Sequence, residues 1–170
     1  MKRLIYAFYI ALIVVVLIPK EKLYFTLESI LSEYTVYLTD ENLSNHFFYL
    51  DAMNSNLLLD NIQIGSIEQI RIIPWVVYNR LTVSNVTFSS LYHSVFPGKI
   101  EEISLTYSLL HPLSVHLQAT GDFGRCEGGI DLAEQKIRLL FEATPELRNY
   151  PLLVFKLQQV KEGLVYESNF

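Results

Sequence analysis

The sequence predicts a mainly β protein: an antiparallel amphipathic sheet, curled or folded into a sandwich, preceded by an N-terminal transmembrane helix and an amphipathic helix. Three observations predict it. Residues 4–18, "LIYAFYIALIVVVLI", carry no charge. Residues 20–34 repeat their apolar side chains at helical spacing. Beyond residue 35 the period shortens to two, the repeat of a strand with one greasy and one wet side. Four regions follow: a cytoplasmic tip at 1–3, a transmembrane signal anchor at 4–18, an amphipathic connector helix at 19–34 and a periplasmic β domain at 35–170.

The first segment sets the compartment. Eleven of its fifteen residues are Leu, Ile, Val or Phe, which together favour insertion by about 3 to 7 kcal/mol. Leu4, Phe8, Leu12, Val15 and Ile18 sample the run that would face lipid. As a helix it spans about 22 Å, short of a hydrocarbon core of about 30 Å. Lys20 and Lys22 can snorkel to lengthen it, and Tyr6 and Tyr9 suit an interface. The run ends "LIPKEK", without the small-residue pattern of a signal-peptidase site. Lys2 and Arg3 precede it, so the expected topology is a single pass through a bacterial inner membrane, N-terminus cytoplasmic and bulk periplasmic.

The connector "KEKLYFTLESILSEY" places Leu23, Leu27, Ile30, Leu31 and Tyr34 at helical spacing, with Glu21, Glu28 and Glu33 mostly on the other side. Pro19 suits the start of such a helix. It either lies on the membrane surface or caps the sheet.

The β region begins with "TVYLT". "HFFYLDAM" and "NLLLDNIQI" follow as strands, with a turn expected at Asn54-Ser55-Asn56 between them. "SIEQIRIIPWVVY" is rich in β-branched residues, and Pro74 suggests an edge or a bend. In "RLTVSNVTFSS" the apolar phase slips at Ser84–Asn85, the sign of a bulge or turn. The later strands alternate more cleanly. Ile103, Leu105, Tyr107 and Leu109 share one side, as do Leu113, Val115, Leu117 and Ala119, then Ile137, Leu139 and Phe141. "GLVYES" reads as the last strand and "TPELRNYP" as a loop. Short sequential strands mean antiparallel meanders.

Composition and motifs narrow the function. Hydrophobic residues at 51% and charged residues at 18% exclude a disordered chain. A net charge of −5 argues against nucleic acid. Cys126 is the single cysteine, so no disulfide can form within the chain. His46, His93, His111 and His116 make no metal-binding spacing. "GDFGRCEGG" has four glycines but no phosphate-loop lysine, and it precedes a strand where a phosphate cradle needs a helix. No nucleophile elbow occurs. The expectation is a non-enzymatic protein without cofactor or metal.

The join "IPKEKLYFTLESILSEYTVYLT" and the hairpin "HPLSVHLQATGDFGRCEGGIDLAEQKIRLLFEATPEL" resemble the N protein of bacterial type II secretion systems, itself similar in style to AsmA-like periplasmic proteins. The resemblance implies an inner-membrane protein with a periplasmic β domain, accessory to a secretion, pilus or DNA-uptake apparatus, with other envelope proteins as partners and no catalytic residues. The residues leave a second function open: a lipid-binding or transfer protein whose apolar sheet face takes phospholipid. Tyr107, Leu117, Phe123, Leu139 and Phe141 line either that groove or a closed core.

Overall fold

The computed structural model describes residues 18–75, 77–92, 97–142, 144, 145, 147, 150, 154–160 and 163–169, with Tyr6 and Val14 ahead of them. One helix, α1 (Lys20–Glu33), leads into eleven strands: β1 (Val36–Thr39), β2 (Asn42–Asn45), β3 (Leu50–Leu59), β4 (Ile62–Pro74), β5 (Tyr78–Phe88), β6 (Lys99–Ser108), β7 (Ser114–Gly121), β8 (Gly124–Asp131), β9 (Lys136–Phe141), β10 (Gln158–Val160) and β11 (Gly163–Asn169). They form one antiparallel sheet in the order β1-β3-β4-β5-β6-β7-β8-β9-β11-β10, with β2 also on β3. The sheet does not close, and all eleven described strands belong to it, so two separately bonded sheets are not formed.

Among the described residues no helix is long and apolar enough to cross a membrane. Leu4, Phe8, Leu12 and Val15 of the expected anchor lie outside the described residues. Ile18 is half-buried, and its N–H donates to the Val14 carbonyl at 3.0 Å.

Three strand expectations are corrected. β3 runs straight through Asn54-Ser55-Asn56, and the chain turns instead at Asp60-Asn61. Those two residues have φ of 50° and 65°. A two-residue hairpin turn of the favoured hand needs positive φ at both positions, which Asp and Asn tolerate. Asn42–Asn45 and Gln158–Val160, with no apolar alternation to announce them, form the additional strands β2 and β10, and the glycine-rich stretch around Cys126, which reads as a turn, is strand β8 paired on both sides. Pro74 ends β4, where its missing N–H costs no ladder bond further along.

The phase slip seen at Asn85 is part of a larger feature. Asn54, Glu68, Asn85 and Glu101 fall on one line across β3, β4, β5 and β6, and each is skipped in the pairing. Asn54 and Asn85 take φ of 59° and 52°. The ladders β3–β4, β4–β5 and β5–β6 keep their register through the line, while β6 bulges against β7 there. Apolar residues on either side of the line are spaced by three: Ile67 and Ile70, Val83 and Val86, Ile100 and Ile103. The crease resets the side-chain parity, so both halves of each strand feed one face.

That face carries two packed regions. Tyr24 of α1 sits at 0% exposure among Leu38, Leu50, Ala52, Ile64, Ile67, Ile70, Val86 and Phe88. At the other end Phe123, Cys126, Phe141 and Leu147 form a second cluster, flanked by Tyr150, Val154 and Leu157. Helix and C-terminal segment thus each cover one part of the sheet and leave the middle between them.

Candidate functional site

The uncovered middle begins beside α1. On the helix, Lys20, Tyr24, Leu27 and Leu31 share the stripe expected at positions i, i+4, i+7 and i+11. Tyr24, absent from the expected stripe, is its one fully buried apolar member, while Ile30 and Tyr34 turn outward. Burying an aromatic ring of this size contributes about 2–3 kcal/mol to docking. Beside that anchor Leu23 and Leu27 overhang the sheet. With Ile72, Pro74, Leu81, Leu105, Tyr107 and Val115 they line a mostly apolar groove of about 430 Å³.

The register explains the lining. Leu50, Ile72, Leu81, Leu105, Leu117, Gly128, Leu139 and Tyr166 make one row across the sheet. Pro74, Asn79, Tyr107, Val115, Ile130, Ile137 and Ser168 make the next row on that face. These side chains stay half-buried in the sheet's centre, and no residue of β7 is buried. Gly128 leaves the row without a side chain between Leu117 and Leu139.

The five sequence-selected residues separate here. Tyr107 lines the groove. Phe123 and Phe141 are buried in the second cluster, their rings edge to face with centroids 6.0 Å apart. Leu117 and Leu139 are half-buried against that cluster. Sequence reasoning missed Leu23, Leu27 and Ile72 as lining residues. The signal for the first two was present in the helical stripe, but nothing in a single sequence says which strands lie under it.

Tyr24 also brings polar atoms into the core. Its hydroxyl and the Ser55 Oγ are both buried and make no well-formed hydrogen bond, although Ser55 and Glu41 lie near enough to the hydroxyl to interact with it. Burial raises the tyrosine pKa above its ordinary value, and the charges of Glu41 and Glu28 raise it further. The Glu28 carboxyl is held above the usual carboxylate range, first by desolvation and then by Glu41.

The opposite, wet face offers ion pairs. Arg125 pairs with Glu127, and Glu167 takes Lys136 at 3.2 Å and Arg138 at 3.4 Å. A depression of about 530 Å³ there, over Gly128 and Gly129, is bordered by His116, Gln118, Glu127 and Arg138. Both of its bordering charges, Glu127 and Arg138, are already paired. Among the described residues no group of three His, Cys, Asp or Glu could hold a metal ion. Cys126 is buried, and desolvation pushes its thiol up to about 12, with Glu127 adding to the shift, so it is a poor nucleophile. In comparisons with known proteins, no family model, no curated protein and no solved structure matches the chain.

Proposed function

We propose that the chain is a membrane-tethered, non-enzymatic envelope protein whose open apolar sheet face holds the acyl chains of a phospholipid. The observation that carries this reading is β7. It is sixth in the ten-strand path, yet none of its residues is buried. A strand in the middle of a sheet normally has one side packed on a second layer. Here Val115 is left half-exposed in a groove whose walls are mostly hydrocarbon, with Asn79 and Arg80 beside them. An acyl chain is the ligand that such a mostly apolar surface fits. The uncharged segment 4–18 supports a tether to a bacterial inner membrane, N-terminus cytoplasmic and the sheet periplasmic.

The test is lipid retention. The full chain, purified in a mild detergent and examined by native mass spectrometry, is expected to carry phospholipid and to take it up again after delipidation. Tyr107→Glu with Val115→Glu should abolish uptake, because carboxylates in the groove make an acyl chain's burial costly. A delipidated wild-type chain that rebinds no phospholipid overturns the reading.

The sheet edges favour a second reading, an accessory or assembly component of a secretion, pilus or DNA-uptake apparatus. Every residue of β2 and of β10 is exposed, and both strands lie at the sheet's margins. Unpaired margins accept a strand from another protein. Affinity capture from solubilised membranes should then recover components of an export machine. Recovery of the chain alone in several mild detergents counts against it.

A further inference from the structure

One end of the sheet is built differently from the other. The connections β2–β3, β4–β5, β6–β7 and β8–β9 all turn at the same end, as antiparallel pairing requires. Three of them present several large apolar side chains to solvent, Phe47 and Phe48, Trp75 and Val77, Leu110 and Leu113, and the fourth presents Leu132. Phe47 is 73% and Leu110 82% exposed. The Phe48 and Trp75 rings lie 5.9 Å apart, so two of these loops share one aromatic surface. The opposite end turns on Asp60-Asn61 and on Asp122-Phe123, with Phe123 folded into the core. Among the described residues its exposed large apolar side chains are Tyr34, Ile62, Leu91 and Val160, and Phe155 is exposed in the segment that follows β9.

The start of α1 lies at the apolar end. Asn45, at the close of β2, donates from Nδ2 to Glu21 at 3.2 Å, while Thr35, just past the helix, accepts from the Asp60 N–H at the far end. The uncharged segment 4–18 therefore joins the fold at the end that carries Phe47, Trp75 and Leu110. Lys20 and Lys22 open the helix there. Lys20 is only 3% exposed, and no carboxylate pairs with it among the described residues.

We propose that this end of the sheet docks on the surface of a lipid bilayer, with the three loops seated at the level of the headgroups and upper acyl chains. Phe, Trp and Leu on loop tips match the amphipathic belt in which such side chains partition. Exposed Lys22 at the rim complements lipid phosphates. The attachment point of segment 4–18 gives the surface its orientation. This docking stands apart from the groove, since Trp75 does not line it, and either can fail without the other.

Trp75 is the chain's single tryptophan, so its fluorescence reports on this surface alone. The full chain is reconstituted in vesicles of phosphatidylethanolamine and phosphatidylglycerol, with and without bromine on the acyl chains. The expected result is a blue shift of Trp75 emission and its loss in brominated vesicles. Phe47→Ser with Leu110→Ser should restore part of the emission while the chain still floats with the vesicles. Shielding of Trp75 from acrylamide without quenching by brominated lipid means that protein covers the surface, and overturns the proposal. So does a tryptophan equally open to acrylamide with and without vesicles, or a chain that does not float with them.

Discussion

Arg71 grips Asp51 with two parallel hydrogen bonds, Nε to Oδ1 at 2.8 Å and Nη2 to Oδ2 at 2.9 Å, across directly paired positions of β3 and β4. Asp51 is buried, and the Tyr49 ring lies 4.7 Å beneath the guanidinium carbon. The hydrogen bond to Asp51 holds the arginine pKa above even its ordinary high value, against the opposing pull of desolvation.

Removing the fork strands a buried carboxylate. Because 41% of the Arg71 side chain is exposed, solvent screens the pair and Arg71→Met should cost only about 1 kcal/mol. Arg71→Lys should recover less than half of the loss, since an ammonium cannot present the planar fork. Urea unfolding of the three proteins in detergent measures both.

Tyr24 separates packing from polarity. Tyr24→Ala should cost about 3–5 kcal/mol, the range for emptying an aromatic site in a core, and should release α1 from the sheet. Tyr24→Phe keeps the ring and deletes a buried hydroxyl that makes no well-formed hydrogen bond to its neighbours Ser55 and Glu41. It should leave stability unchanged or raise it by about 1 kcal/mol. A large loss in Tyr24→Phe would show that the hydroxyl is bonded in solution.

Glu28 gives the fold a pH dependence of definite sign. Its folded pKa is raised, by desolvation first and by Glu41 second. Between the ordinary glutamate pKa and the raised one, the folded state binds more protons than the unfolded state. Stability from this group is therefore present at low pH and lost as pH rises through the folded value. Glu28→Gln should stabilise α1 docking at neutral pH and flatten that part of the profile, as read by thermal unfolding across a pH series.

Asn85 tests the crease. Its φ of 52° suits Asn and penalises a β-branched residue, and its Nδ2 donates to Glu68 at 2.8 Å. Asn85→Val should cost about 1–2 kcal/mol in backbone strain, plus about 1 kcal/mol for the bond. Asn85→Gly should lose only the second part. Chemical denaturation of both variants distinguishes these amounts.

These residues also mark how far the sequence could be read. β6, β7, β9 and β11 were legible, the first two because Ile103, Leu105 and Tyr107, then Val115 and Leu117, alternate without interruption, whereas the glycines of β8 read as a turn and β10 was not announced. α1 was legible from its 3.6-residue period. The turn was misplaced because Asn54-Ser55-Asn56 and Asp60-Asn61 offer similar turn chemistry, and only the partner strand decides between them. At Asn85 the slip was visible, but its alignment with Asn54, Glu68 and Glu101 is a property of register, which one strand alone does not encode. The groove was half legible: Tyr107 stood out in its strand, whereas Leu23 and Ile72 become neighbours only through the way the helix lies.

The aligned resets also guard assembly fidelity. Strands as long as the thirteen residues of β4 are prone to pair one step out of place, since every rung of a uniform ladder looks like the next. Sliding β5 by one step would bring Ser84 or Val86 opposite Glu68, and Asn85 alone among the three has the left-handed backbone that fits there. The offset pairing thus loses the Asn85–Glu68 bond and strains its neighbours at once. The row acts as a tooth in a ratchet, because an offset ladder forfeits a native bond at the very position where it also meets an unsuited backbone.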